Sequence, residues 1–177
     1  MTLLMHVCCG NCLIYPYRIL KEEGISMEGY WFNPNIHPYS EHQKRLFSMA
    51  YWSGKKGFIF REEPYDWDLW REAIQQYEDR CFGCYMLRLR KTAEKARELK
   101  YDAFTTTLLY SIYQKHEIIR KIGETLAKET GVKFLYKDFR TGWKEGNDES
   151  RRMHLYRQRY CGCLASESER EMSGGKK

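Results

Sequence analysis

No apolar run in this chain reaches the roughly 18 to 20 residues that a membrane span requires. The opening Met1-Thr2-Leu3-Leu4-Met5-His6 has no basic stretch followed by an apolar core, so no secretory signal is expected and a cytoplasmic address follows. Neither G-x-G-x-x-G nor G-x-x-x-x-G-K-[ST] occurs, which leaves a nucleotide cofactor without a motif. Internal repeats and low-complexity linkers are also missing. At 177 residues the chain reads as a single domain over 1–165 with a polar tail over 166–177. What is missing most tellingly is an isolated cysteine. All seven fall into three groups, Cys8-Cys9-x-x-Cys12, Cys81-x-x-Cys84 and Cys161-x-Cys163.

Packing cysteines would scatter; a metal or redox centre needs several thiolates at bonding distance. Seven is an odd number, a poor match to a full disulfide framework, and in a reducing compartment paired cysteines favour metal binding or catalysis. A structural zinc usually staples a module with little core of its own, whereas this chain has ample apolar sequence. Seven cysteines also exceed one four-thiolate site by three and cannot fill two. Iron–sulfur, zinc and a metal-free dithiol all remain open, the surplus pointing to one cluster plus a second thiol-bearing centre.

Hydrophobic periodicity sets out alternating strands and helices. Leu3–Val7, Ile25–Phe32, Phe58–Phe60, Ala103–Leu109 and Val132–Tyr136 read as strands. Helices are expected over Cys12–Glu23, from Ser40 (as cap) to near Gly54, Trp67–Tyr77, Met86–Lys100, His116–Glu129 and 149–160. The pattern predicts an α/β fold: a Rossmann-like, doubly wound parallel sheet of about five strands in the order 3-2-1-4-5, flanked by helices. Ligands in such sheets bind beyond the carboxyl ends of the strands at the switch point. The first cysteine group directly follows strand 1.

Each group has its own local logic. Cys81 and Cys84, beside a strong helix, are natural ligands, because a helix N-terminus favours thiolate. Adjacent Cys8 and Cys9 can both turn to one centre where the strand breaks at Gly10-Asn11. Cys161 and Cys163 flank Gly162 and suit a reducible dithiol or a second metal. Cys12 fits either centre, or a buried thiol starting its helix.

The formal charge is +6, and its distribution says more than its size. Arg151, Arg152, Arg157 and Arg159 lie in a stretch without acids, interleaved with His154, Tyr156 and Tyr160. Arginine and aromatic residues together can hold phosphates and stack on bases, although a solvated basic helix face has the same pattern.

Five segments in order resemble the non-cobalamin, iron–sulfur-dependent epoxyqueuosine reductases. They are H-V-C-C-G-N-C (His6–Cys12), W-F-N-P-N-I-H-P-Y (Trp31–Tyr39), R-C-F-G-C-Y-M-L-R-L (Arg80–Leu89), F-T-T-T-L-L-Y-S (Phe104–Ser111) and L-Y-R-Q-R-Y-C-G-C (Leu155–Cys163). Many members carry Ala-Pro where this chain has Gly10-Asn11. The resemblance implies reduction of epoxyqueuosine at the tRNA wobble position to queuosine, with an unidentified electron donor. It implies a 4Fe-4S cluster on Cys8, Cys9, Cys81 and Cys84. Cys161 and Cys163 then form the second centre, as a redox dithiol or as ligands of one additional iron, with Cys12 or Asn11. Tyr160 is favoured as proton donor over His6, Tyr110 and His116. His37 and Thr105–Thr107 are candidate substrate contacts. Lys115, Arg151, Arg152, Arg157 and Arg159 are expected to hold the anticodon-arm phosphates. The rival classes are a zinc-dependent RNA-binding module, a cluster-dependent tRNA thiolation enzyme and a plain dithiol oxidoreductase.

Overall fold

The computed structural model describes residues 1–174. Five strands, β1 (Thr2–His6), β2 (Ser26–Trp31), β3 (Phe60–Glu62), β4 (Ala103–Thr106) and β5 (Lys133–Phe134), form one sheet in the order β3-β2-β1-β4-β5. All pairings are parallel, so the doubly wound arrangement read from the sequence is the one observed. Leu3, Leu4 and Met5 of central β1 are completely buried, as expected of a strand covered on both faces.

Seven helices flank the sheet: α1 (Gly10–Glu22), α2 (Tyr39–Lys56), α3 (Trp67–Gln75), α4 (Arg80–Glu98), α5 (His116–Thr130), α6 (Trp143–Arg152) and α7 (Leu164–Met172). α1 packs against α2 and α6, while α4 packs against α3 and α5. The division expected at residue 165 falls inside α7, and residues 175–177 of the expected tail lie outside the described residues.

Several helices depart from the expected boundaries: α1 starts at Gly10 rather than Cys12, α3 ends at Gln75 rather than Tyr77, and three others differ in telling ways. α2 starts two residues early, with Pro38 rather than Ser40 at the cap position and no side-chain cap bond. α4 begins at Arg80, not Met86, because Asp79 caps it by accepting from the Cys81 N–H at 2.9 Å. Gly83, a helix-weakening residue, is needed there: a Cβ would lie 2.8 Å from the Ala73 carbonyl oxygen, so glycine lets α3 and α4 close together. The last expected helix, 149–160, is instead α6, ending at Arg152. The chain turns at His154, whose φ of 52° is left-handed, and residues 153–163 run on as a loop.

That loop is tied down by a buried ion pair. Arg45 on α2 is 1% exposed, and its Nε donates to Glu41 Oε1 at 2.7 Å, one helical turn away. Its other nitrogens donate to the carbonyl oxygens of Cys161 at 2.8 Å and Tyr160 at 3.1 Å. Tyr156 closes the arrangement by donating its hydroxyl to the second oxygen of Glu41 at 2.5 Å. Removing one partner of a buried pair strands the other charge, so Arg45→Met should destabilise the metal-free protein by about 3–5 kcal/mol in urea unfolding. The double variant Glu41→Gln/Arg45→Met should recover part of that loss.

Candidate metal and redox centre

β1 ends at His6, and the chain leaves the sheet through Val7 and Cys8. Cys9 caps α1 with its sulfur, which accepts the Cys12 N–H at 3.3 Å. The sulfurs of Cys8, Cys9 and Cys12 all lie within 4.8 Å of one another, with Cys8 to Cys9 at 3.9 Å and Cys9 to Cys12 at 2.7 Å. Two thiolates on one tetrahedral metal stand about 3.8 Å apart; Cys8 and Cys9 match that spacing, whereas Cys9 and Cys12 lie closer than it. Hydrogen bonds from Cys12 and Cys9, and then from Thr107, hold Cys8 well below the usual thiol range. Burial raises Cys9, and its hydrogen bonding to Cys8 raises Cys12.

Six of the seven cysteines line one cavity of about 820 Å³: Cys8, Cys12, Cys81, Cys84, Cys161 and Cys163. Cys81 and Cys84 occupy the first two turns of α4, three residues apart and thus on neighbouring positions of one face. Cys84 is buried with Cys163 and Trp70, and burial pushes its thiol up to about 11. Cys161 is exposed, Cys163 is buried at the start of α7, and all seven thiols are free. Gly162 between them approaches Asn35 so closely that a Cβ would lie 2.7 Å from Asn35 Nδ2, and its carbonyl accepts the His37 N–H at 2.8 Å.

Two glutamines that sequence reasoning passed over reach the sulfurs. Gln158 Nε2 lies 3.1 Å from Cys9 Sγ and 3.5 Å from Cys12 Sγ, and Gln114 Nε2 lies 3.5 Å from Cys161 Sγ. Side-chain amides have no spacing signature, so only the folded chain identifies them. Several buried polar atoms on this wall have no partner: Asn11 Oδ1, Asn35 Oδ1 and Gln158 Oε1. Unpartnered buried polar atoms are rare and call for a ligand or ion. Soft thiols beside such atoms fit a thiolate-bound metal or cluster.

The candidate proton donors are placed differently from one another. His6 is fully buried between Thr106 Oγ1 (2.9 Å) and the Phe32 carbonyl (3.2 Å), and burial lowers it to about 4, so it is neutral. Tyr110 donates to the Trp143 carbonyl at 2.9 Å, and His116 Nε2 bonds to the Ser111 carbonyl oxygen at 3.3 Å. Tyr160 is on the cavity wall, with its hydroxyl on the His37 carbonyl; burial pushes it up to about 12. His37 is itself buried against Trp67 and Trp70. The threonines divide: Thr105 donates to the Leu135 carbonyl at 2.8 Å, Thr106 bonds to His6, and Thr107 donates to Cys8 Sγ at 3.3 Å.

The basic segment is split by the turn at His154. Arg157 and Arg159 line the cavity, and Lys115 does so while paired with Asp79 at 2.8 Å. Arg151 and Arg152 are exposed on the last turn of α6, away from the cavity wall, with Arg151 paired to Asp148 at 2.6 Å. At the rim stand two aromatics absent from the sequence reading. Tyr113 is 63% exposed and meets Trp143 edge-on at 5.6 Å.

A family described as epoxyqueuosine reductase QueH matches residues 3–169 of the chain. The chain belongs to this family. It is 39% identical to the epoxyqueuosine reductase QueH of Dehalococcoides mccartyi, over 95% of this chain and 93% of that one. It is 34% identical to that of Thermotoga maritima, over 96% and 92% respectively. Among solved structures, a predicted subunit of a tRNA methyltransferase from Methanocaldococcus jannaschii superposes with a TM-score of 0.56 at 12% identity. That alignment covers 85% of this chain and 74% of the other, a likeness of fold alone. No helix among the described residues is long and apolar enough to cross a membrane.

In this QueH-family chain the loop over the cysteines depends on glycine at position 162. Gly162→Ala should force the loop off Asn35, and exchange of the His37 amide should quicken by at least about tenfold in hydrogen-exchange measurements. Unchanged exchange would mean that the loop tolerates the methyl group.

Proposed function

We propose that this chain reduces the epoxide of epoxyqueuosine, at the wobble position of a tRNA, to the alkene of queuosine. The observation that carries the proposal is six cysteines, drawn from the start, middle and end of the chain, lining one cavity. Membership of the QueH family over residues 3–169 supports the substrate. In the reaction both C–O bonds of the epoxide break, a C=C bond forms, and the oxygen leaves as water. The balance requires two electrons, from a donor still to be identified, and two protons.

Cys8, Cys9, Cys81 and Cys84 are assigned to a 4Fe-4S cluster. Cys161 and Cys163, with Cys12 beside them, are assigned to the second centre, as a redox dithiol or as ligands of one further iron. When bound, such a cluster supplies electrons singly, and a second metal polarises an oxygen as a Lewis acid. The chain's own side chains do the rest. A cavity of about 820 Å³ admits one modified nucleoside, so the base must leave the stack of the anticodon loop to enter. Tyr160 lines the cavity and is the assigned proton donor. Arg157, Arg159 and Lys115 at the cavity face the backbone phosphates, and Arg151 and Arg152 extend that basic track. Tyr113 and Trp143 at the rim offer ring faces to a neighbouring base.

Anaerobically purified protein should be brown, with about four irons and labile sulfides per chain, and should convert epoxyqueuosine tRNA under a strong reductant. Cys81→Ser should lose this iron, whereas Cys12→Ser should keep it. Colourless protein carrying only zinc and leaving the tRNA unchanged would overturn the proposal in favour of an RNA-binding module.

The two modes of tRNA contact are separable by salt. Arg157→Ala/Arg159→Ala should weaken binding and reduce the slope of log affinity against log salt by about 1.4, two phosphate contacts at about 0.7 each. Tyr113→Ala should weaken binding by about tenfold with the slope unchanged, since stacking releases no counterions.

A further inference from the structure

Arg88 sits on α4 four residues after Cys84 and seven after Cys81, on the same side of the helix. It is 1% exposed, yet it lines the cysteine cavity. Its Nε donates to the Cys84 carbonyl at 3.3 Å, and its Nη2 has no partner. Among the described residues no carboxylate oxygen lies within 4.0 Å of it, in contrast to Arg45, the other fully buried arginine, which has Glu41. A contact with the Tyr85 ring, 5.8 Å from its centroid, offsets only a small part of the charge.

A buried guanidinium that cannot lose its proton needs an anion. Six cysteine thiols able to become anionic line the same cavity, Cys84 one helical turn from Arg88.

We infer that Arg88 is the built-in counter-charge of the thiolate centre, a positioning residue whose unpaired buried cation is compensated only when the cavity's cysteines are ionised and hold a metal. The inference rests on the metal–thiolate part of the proposed function and not on its substrate. Four thiolates around one divalent metal, or around an oxidised four-iron cluster, leave a net negative charge. Each electron accepted adds another. A fixed cation beside the centre therefore favours both metal loading and reduction, and in the metal-free protein the same cation is a liability.

Opposite effects in the two states are what a merely structural arginine would not produce. Arg88→Met should melt no lower than the parent when both are metal-free and reduced, because a buried charge has been removed. It should bind cobalt(II) about tenfold more weakly in competition with a chelator, with the thiolate-to-cobalt absorption band as readout. Arg88→Lys, which keeps the charge, should stay within about threefold of the parent. If iron–sulfur protein is obtained, the midpoint potential of Arg88→Met should be more negative than that of the parent, and that of Arg88→Lys should stay close to it. Equal loss of melting temperature with and without metal, together with unchanged cobalt affinity, would reduce Arg88 to a packing residue. Protein that takes up cobalt but never iron would sink the cluster assignment, and the cobalt comparison would still decide the role of Arg88.

Discussion

The candidate site depends on the buried pair of Glu41 and Arg45. Through it one helix reaches the far end of the chain and holds the carbonyl oxygens of Tyr160 and Cys161. The segment it holds has little regular structure of its own, running as a loop from the left-handed turn at His154 to the start of α7. A loop with few backbone hydrogen bonds is normally the least stable part of a fold. Here Arg45, Tyr156 and the Gly162–His37 backbone bond fix it from three directions. Cys161, Cys163, Gln158 and Tyr160 then have defined places at the mouth of the cavity.

The second constraint is electrostatic. The cysteines meet beyond the carboxyl ends of parallel strands, where doubly wound sheets leave a crevice at the point of strand-order reversal. Burial makes three of these thiols, Cys9, Cys81 and Cys84, reluctant to ionise. The site opposes that with amide nitrogens from Gln114 and Gln158, the Thr107 hydroxyl and the two buried arginines. Amide oxygens without partners on the cavity wall and thiols kept from ionising by burial are both conditions that a bound metal ion would relieve.

The same cavity joins a wall of sulfurs to a basic and aromatic rim. Sulfurs lie on its walls, Arg157 and Arg159 come from the pinned loop, and an exposed tyrosine stands at the rim. One loop carries both sulfurs and arginines, with Arg157 and Arg159 within six residues of Cys161 and Cys163.

The parallel sheet and its order were legible in the sequence, because short apolar runs alternating with amphipathic helices leave few other topologies for a chain this long. So was the chemistry, since closely spaced cysteines have few other uses. Helix ends that depend on close approach were not legible. Gly83 looks like a helix breaker until α3 packs against it, and Gly146 in α6 looks the same until the Tyr110 hydroxyl fills its place. Arg45 and Arg88 read as ordinary charges on helices. Only the tertiary structure buries both and gives one a carboxylate and the other none. The sequence by itself determined which residue types can bind a metal and at what local spacing. Which of them face one another, and which charges are left to balance them, was decided by packing between segments about 70 to 150 residues apart, a distance over which local pattern has no reach.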